Sequence, residues 1–266
     1  MFKIALYLLI LVILAIFLLP FFYTVSPYEL NPLKILQAPS FEHLFGTDRL
    51  GRDVLARVLE GGQTSLVIGF LAASISSIVG LFIGINAGYF KGNIDKTITI
   101  MIDLFLTFPT FFLLLALVSY IQASSVILII VISITGWMGM SRMIRSESFA
   151  ISNRPFIKIL KLSNVSTFKI IFKYFAPLLA PIFLISFTFG VGGSILAESG
   201  LSFLGLGINP PLMSWGSLLS DGKAVIDIAW WVSFFPGLMI FIITFCLIQI
   251  SDYLQNLANK KEIIQN

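Results

Sequence analysis

The sequence has few charged residues and almost no histidine or cysteine. Asp, Glu, Lys and Arg together make up only 11% of the 266 residues, whereas 58% are hydrophobic. An ordinary soluble domain has about 25% charged and about 45–50% apolar residues. A water-soluble core of this length could not hide so much apolar surface, so lipid must be the solvent for much of the chain.

Motifs that carry chemistry are missing as well. His43 is the only histidine and Cys246 the only cysteine, which rules out a histidine-based metal site and an intrachain disulfide. The phosphate-binding motif G-x-x-x-x-G-K-[ST] and the hydrolase motifs G-x-S-x-G and H-E-x-x-H do not occur. We therefore expect no catalytic residue, metal or cofactor in this chain. Uphill transport would need energy from a partner or an ion gradient.

Six apolar runs approach the length needed to cross a bilayer, which takes about 20 helical residues. They are Ile4–Phe22, Thr64–Tyr89, Thr97–Ile121, Ser124–Met140, Pro177–Leu196 and Ala229–Ile250. The first run could be a signal peptide, but it is longer than a signal h-region and no small-x-small site follows it. We interpret it as a retained anchor.

The distribution of positive charge predicts the orientation. Six spans place both termini on one side of the membrane. If that side is the cytoplasm, twelve of the 17 Lys and Arg residues are cytoplasmic, as the positive-inside rule requires. The sequence thus predicts an all-α, multi-pass membrane protein with about six transmembrane helices and both termini in the cytoplasm.

Small residues recur at every fourth position of the second span, which places them on one stripe of the helix. They are Ala72, Ser76, Gly80, Gly84 and Gly88. Because helices in lipid associate through close backbone approach, we interpret Gly80, Gly84 and Gly88 as helix-packing residues. Packing within the chain and a subunit interface both fit this pattern.

Proline and one buried acid mark other spans. Pro109, Pro181 and Pro236 are expected to interrupt the third, fifth and sixth spans. Asp103 lies inside the third span, about two turns from its cytoplasmic end. It is either a functional group or a residue paired near the interface.

The longest cytoplasmic stretch, residues 141–175, is strongly basic. Asn153 is a plausible N-cap for a short amphipathic helix that starts near Pro155 and is broken at Ser163 and Asn164. A second helix would follow, with an apolar stripe of Phe168, Ile171, Phe172 and Phe175. Spacing alone cannot separate adsorption to anionic lipid from docking into a groove of a soluble partner.

Two stretches of sequence resemble a known family. The first reads FGTDRLGRDVLAR at 45–57 and GGQTSL at 61–66; the second reads LAESGLSFLGLG at 196–207, NPP at 209–211 and SWG at 214–216. Both resemble the permease subunits of the dipeptide/oligopeptide/nickel class of ABC importers, and the similarity runs from about residue 40 to residue 255. Two long motifs in the correct order are highly specific.

The resemblance implies a type I ABC importer permease fold in the bacterial inner membrane. The expected parts are an N-terminal anchor helix with an extracytoplasmic segment (1–63), a permease core (64–255) and a short cytoplasmic tail (256–266). The implied partners are a homologous permease, two ATP-binding cassette subunits that hold ATP and Mg, and an extracytoplasmic solute-binding protein. Lipid surrounds the complex, and nucleic acid is not expected.

The resemblance also implies site residues at the outer face. Asp53–Glu60 would be a short helix along the membrane, ended by Gly61 and Gly62, and 197–222 a compact outer loop. Either this loop packs on the bundle or it borders the translocation pathway. The residues assigned to pathway and outer loop are Glu198, Gly200, Phe203, Gly205 and Trp215.

On the cytoplasmic side the family carries a motif that consists of E-A-A, three further residues and a glycine. This motif transmits movement from the ATPases. Aligned through Pro177, its positions here are Lys158, Ile159, Leu160 and Asn164, so lysine replaces glutamate and asparagine replaces glycine. A coupling helix between spans four and five is therefore expected. The implied ATPase-coupling residues are Phe156, Lys158, Leu160, Lys161, Ser163, Asn164, Phe168 and Lys169.

The predicted function is thus a non-enzymatic permease that carries a peptide, or nickel or its chelate, delivered by a solute-binding protein. An ion-gradient-driven secondary transporter is the alternative. A structural or assembly protein without transport activity is a third possibility.

Overall fold

The computed structural model describes residues 2–121 and 124–265 and confirms an all-α membrane fold. Its helices are α1 (Phe2–Phe22), α2 (Val54–Phe90), α3 (Gly92–Leu106), α4 (Thr110–Ser119), α5 (Ser125–Asn153), α6 (Pro155–Leu162), α7 (Thr167–Ile170), α8 (Ala176–Phe203), α9 (Trp215–Lys223) and α10 (Trp231–Gln265). A π-helical turn, Ile171–Phe175, joins α7 to α8 without a break. Five segments are long and apolar enough to cross a membrane, and α3 together with α4 qualifies as a sixth, bent span.

The two ends of the bundle are named here by their short helices, the α6 end and the α9 end. Phe2 stacks on Tyr253 with ring centroids 3.9 Å apart. Ser251, close to Tyr253, donates a hydrogen bond to the Ile185 carbonyl in the first half of α8. The start of α1 and the later part of α10 therefore meet at the α6 end, as an even number of spans requires.

α2 is longer than the sequence predicts, and the prediction of a separate helix at Asp53–Glu60 was wrong. Asp53 caps the helix by accepting from the Ala56 amide at 2.8 Å. The helix then runs through Gly61 and Gly62. A Cβ added to Gly61 would lie 3.2 Å from the Ser214 backbone, and one added to Gly62 would lie 2.9 Å from the Trp215 ring. These glycines are needed because α2 approaches the start of α9 so closely.

α2 and α5 pack along the glycine stripe of α2. A Cβ at Gly80, Gly84 or Gly88 would come within 2.5–2.7 Å of α5 atoms. The stripe therefore packs against a helix of the same chain. Because lipid provides no hydrophobic drive between helices, this backbone approach supplies the packing.

Proline breaks only one of the three spans that the sequence predicts it to interrupt. α3 ends at Leu106 and α4 begins at Thr110, with Pro109 as its N-cap and a 78° bend between the helices. α8 and α10 continue past Pro181 and Pro236, so the prediction that these two interrupt their spans was wrong. Proline costs one intrahelical hydrogen bond, which a long packed helix tolerates.

Other boundaries also differ from the predicted ones. The fourth span continues to Asn153, so Asn153 ends α5 and does not cap α6; Arg154 occupies the cap position, without a side-chain hydrogen bond. The predicted tail 256–266 continues α10 as far as Gln265. Met1 and Asn266, and the side chains of Lys260 and Lys261, lie outside the described residues.

Candidate functional site

α6 is fixed to the end of the bundle by its inner face. Pro155 occupies the first helical turn, where the lost amide hydrogen bond is harmless. Ile157 is fully buried in a cluster that includes Ile144 of α5 and Phe175 next to α8. α6 is therefore a rigid attachment to three membrane-spanning segments and can transmit a push to them.

The opposite face of α6 and the neighbouring turn of α7 are open. Ile159 and Leu162 are 61% and 83% exposed. Phe168 and Phe172 are also exposed, and their ring centroids lie 4.3 Å apart. We call Lys158, Ile159, Leu162, Phe168 and Phe172 the α6 surface.

Lys161 does not belong to this surface, because its ammonium group lies against the bundle. It lies 3.8 Å from the centroid of the Tyr89 ring and within 3.4 Å of both the Tyr89 carbonyl and the Ser152 hydroxyl. Burial lowers the pKa of Lys161, and the positive charge of Lys91 lowers it further. Lys161 therefore holds α6 to the end of α2.

The turn after α6 falls at the predicted residues. Asn164 has a left-handed backbone (φ 55°), which asparagine tolerates better than most residues. Its amide donates to the Lys161 carbonyl, and that of Val165 to Leu160. Of the remaining predicted coupling residues, Leu160 is half-buried, whereas Phe156, Ser163 and Lys169 are exposed.

At the other end, the predicted outer loop 197–222 is mostly helical. Glu198, Gly200 and Phe203 lie in α8 and Trp215 begins α9, so only Gly205 of the predicted residues is in a loop. A capping box between Ser214 and Ser217 starts α9. Gly and Pro suggested a continuous loop, but they are concentrated in the short connection between α8 and α9.

Glu198 and Trp215 are both completely buried, which places them in the packed interior. The Glu198 carboxylate accepts hydrogen bonds from Ser65 at 3.0 Å and Ser202 at 2.7 Å. The Trp215 amide donates to the same Ser65 hydroxyl at 3.1 Å, and its indole donates to the Val58 carbonyl at 2.9 Å. These contacts lock α2, α8 and α9 together.

Gly200 and Phe203 are closer to open space. Gly200 leaves room for the Phe111 ring of α4, which would lie 3.1 Å from an added Cβ. Phe203 is 36% exposed, and the Lys223 ammonium lies 5.3 Å from its ring centroid.

A charged cluster organises the segment before α2. Asp48, 2% exposed, accepts from the Arg52 guanidinium at 2.7 Å and lies 3.4 Å from that of Arg57. Arg57 also reaches Asp221 of α9 at 3.2 Å. Asp48, Arg52 and Arg57 of the first motif are therefore paired with one another or with α9 at largely buried positions.

Asp53 connects the same segment to the end of α1. Its carboxylate accepts from the Tyr23 hydroxyl at 2.9 Å and lies 2.8 Å from His43 Nδ1. Burial and the hydrogen bond to Asp53 raise the pKa of Tyr23. Nearby, the hydrogen bond from Lys34 lowers the pKa of Glu42. Residues 23–53 thus form a hydrogen-bonded cover over the α9 end.

An intramembrane cleft of about 560 Å³ lies between α2, α4, α5, α8 and α10. Its polar lining consists mainly of hydroxyl groups, and Asp252 is the only charged lining residue in the part of the chain that the structure describes. The polar lining residues are Ser76, Ser77, Thr110, Thr135, Ser186, Ser194, Ser251, Asp252 and Gln255.

One side of this cleft is open. A Cβ added to Gly139 of α5 or Gly193 of α8 would meet nothing within 4 Å. Phe189 and Met143, which also line the cleft, are 62% and 44% exposed. The cleft is thus open on the side where these residues lie.

Comparison with known proteins identifies the chain. Residues 80–262 match the family "Binding-protein-dependent transport system inner membrane component". The chain belongs to this family. It is 37% identical to the oligopeptide transport system permease protein OppC of Mycobacterium tuberculosis strain H37Rv over 84% of this chain and 81% of that one. It is also 36% identical to the dipeptide transport system permease protein DppC of Alkalihalophilus pseudofirmus, over 94% and 82%.

A solved structure supports the fold independently. A chain of the MetNI methionine ABC transporter, in an inward-facing conformation, superposes with a TM-score of 0.60 over 75% of this chain and 97% of that one, at 13% identity. The type I permease fold is therefore confirmed, and the chain is an ABC importer permease subunit. The resemblance in its two motifs correctly indicated the family.

The cleft was missed by sequence reasoning, although the sequence holds a signal for it. Gly136 and Gly139 on α5, and Gly190 and Gly193 on α8, are spaced one turn apart and line the cleft. Such pairs are ordinarily taken as helix-packing positions. Only the structure shows that two of them face open space.

Proposed function

We propose that this permease pairs with a homologous permease and that the two enclose one translocation pathway between them. The open side of the cleft carries this proposal, because two adjacent helices present Gly139 and Gly193 to unfilled space. A hydroxyl-lined wall exposed to lipid would be unfavourable, whereas the same wall facing a second half-channel can be hydrated.

Energy would come from two ATP-binding cassette subunits that hold ATP and Mg. Support comes from the absence of a phosphate-binding motif in the sequence and from the α6 surface, whose exposed apolar side chains stand on a rigid helix. Closure of the ATPases would move α6 and, through Ile157 and Phe175, the helices that line the cleft. The bundle would then alternate between inward- and outward-facing states.

Delivery from the other side would use an extracytoplasmic solute-binding protein at the cover formed by residues 23–53 and α9. The ion pairs of the buried Arg57 with Asp48 and with the partly exposed Asp221 support this role, since they make the cover a firm platform. With α6 in the cytoplasm, both termini are cytoplasmic too.

The proposed substrate class is peptides. The relatives from M. tuberculosis and A. pseudofirmus are named as oligopeptide and dipeptide permeases. Hydroxyl groups and small residues suit a path for peptides of varied side chains, because they offer hydrogen bonds to any backbone without selecting a charge. Selection would then rest with the binding protein.

Uptake by the complete complex in proteoliposomes tests this function. We expect a labelled dipeptide or tripeptide to enter only with ATP inside and binding protein outside, with no effect of ionophores. Uptake driven by a proton or sodium gradient without ATP would instead establish a secondary transporter. If the complex takes up free or chelated nickel and peptides do not compete, the proposed substrate class is refuted, while ATP-driven import is not.

A further inference from the structure

We propose that Lys158 forms an ion pair with a carboxylate side chain on the ATPase that docks at α6. This inference rests on the proposed docking role of the α6 surface and specifies its chemistry. Lys158 is exposed, and its ammonium group makes no hydrogen bond or ion pair within residues 2–121 and 124–259, although its backbone amide donates to the Arg154 carbonyl. Its neighbour Lys161, by contrast, is held against Tyr89.

The chain itself offers Lys158 no counter-charge nearby in sequence. No Asp or Glu occurs between Glu147 and Glu198, although five Lys and Arg residues do. Docking of Ile159 and Leu162, both largely exposed, would exclude water around Lys158. An ammonium group desolvated without a partner is strongly unfavourable, so the surface that covers Ile159 and Leu162 must supply an anion.

The arrangement of side chains favours a protein partner over lipid headgroups. A helix adsorbed to lipid separates an apolar face from a charged one. In α6 the inner apolar residue Ile157 is already buried in the bundle, and the open face mixes Lys158 with Ile159 and Leu162 at spacings that share one side of the helix. A mixed face of this kind fits a groove with apolar walls and one acidic residue.

Zero-length crosslinking of the complete purified complex tests the pair directly. Carbodiimide joins an amine to a carboxylate only when the two are in contact, so we expect an amide between Lys158 and one Asp or Glu of the ATPase, identified by mass spectrometry. Lys158→Arg keeps the charge but offers no amine. It should lose this crosslink while still retaining the ATPase.

Charge reversal provides the functional test. Because like charges facing each other across an interface are strongly unfavourable, we expect Lys158→Glu to weaken ATPase retention by about tenfold or more, equivalent to about 1.4 kcal/mol. Lys96→Glu makes the same charge change on an exposed residue of α3 and should leave retention unchanged. Replacing the crosslinked ATPase carboxylate by lysine should restore binding to the Lys158→Glu permease.

The outcomes separate this inference from the function on which it rests. If the wild-type permease retains no ATPase, the proposed docking itself fails. If it retains the ATPase but Lys158→Glu binds equally well, or no crosslink forms, the ion pair is refuted. If Lys158→Glu loses binding to phosphatidylglycerol vesicles but retains the ATPase as well as the wild type does, Lys158 contacts lipid and the inference is also overturned.

Discussion

Arg57 of α2 and Asp221 of α9 form an ion pair, with 3.2 Å between Nη2 and Oδ2, although 164 positions separate them in the sequence. The side chain of Arg57 is only 6% exposed, and it also lies 3.4 Å from the Asp48 carboxylate. One guanidinium thus joins the segment before α2 to the helix that follows the α8 motif. Arg57 belongs to the first of the two stretches that carry the family resemblance, and Asp221 lies in the helix that begins within the second.

Loss of the Arg57 charge should destabilise the α9 end. Arg57→Met keeps much of the apolar stem but leaves Asp48 with one fewer partner in a buried site. We expect the free energy of unfolding to fall by about 3 kcal/mol, as when one partner of a buried ion pair is removed. Thermal unfolding of the detergent-solubilised complex measures this.

Arg49→Met is the matched control, because Arg49 binds the same Asp221 but its side chain is 49% exposed. It should cost about 1 kcal/mol or less, in line with surface ion pairs. Equal losses for the two variants would contradict the importance of burial at Arg57.

The sequence predicted local features well and long-range contacts poorly. Pro155 and Asn164 correctly indicated the bounds of α6, because a proline in the first turn and a left-handed residue after the last are local effects. Gly61 and Gly62 were misinterpreted as a helix end. Their role depends on Ser214 and Trp215, about 150 positions away, and no local pattern reveals such a partner.

Buried polar contacts are a second feature that local patterns do not reveal. The sequence left open whether the loop that holds Glu198 packs on the bundle or borders the pathway. The structure encloses Glu198 between α2, α8 and α9, with hydrogen bonds from the hydroxyls of Ser65 and Ser202. Asp103 is a further acidic residue whose surroundings the sequence could not decide. The sequence left open whether it pairs near the interface, and the structure shows an ion pair with Arg142. Ser65, which binds Glu198, and Arg142, which binds Asp103, lie on other helices, and periodicity within one helix cannot identify such partners.

The contact between α2 and α5 should not tolerate a methyl group at Gly84. An added Cβ would lie 2.7 Å from the Ser141 carbonyl oxygen and 2.8 Å from the Ile144 side chain, and backbone cannot move aside as a side chain can. Gly84→Ala should therefore lower the free energy of unfolding by about 2 kcal/mol, as overpacking does. The thermal midpoint of the purified complex is the measurement.

Gly139→Ala is the control for this change, because its Cβ would meet nothing within 4 Å. It should leave stability the same or slightly higher, since alanine favours helix over glycine. If Gly139→Ala lowers the thermal midpoint as much as Gly84→Ala does, the destabilisation comes from the loss of glycine itself and a steric clash at Gly84 is not its cause.

Glu198 should tolerate glutamine but not alanine. Glutamine keeps one of the two accepting oxygens and places an NH2 group, which can donate to a serine hydroxyl, at the position of the other. Its size also fills the site, so we expect a loss of about 1 kcal/mol or less. Alanine leaves those buried hydroxyls without their acceptor and opens a cavity, which should cost about 3 kcal/mol. Unfolding of both variants in detergent, with ATPase retention as a check of assembly, gives the comparison.

The cleft can be tested by cysteine labelling, because the only native cysteine, Cys246, is completely buried. Within the complex, a small polar maleimide should leave the wild-type form of this chain unlabelled and should label Gly193→Cys, whose new side chain would project into the open side of the cleft. Ser133→Cys is the buried control: Ser133 is 5% exposed and contacts the Ala72 carbonyl, so it should react at least about tenfold more slowly. If the cleft is the peptide path, transported peptide with ATP should slow labelling at Gly193→Cys and leave Ser133→Cys unchanged. If lipid-soluble reagents label Gly193→Cys and polar reagents do not, this wall lies against the bilayer and a shared aqueous pathway is refuted.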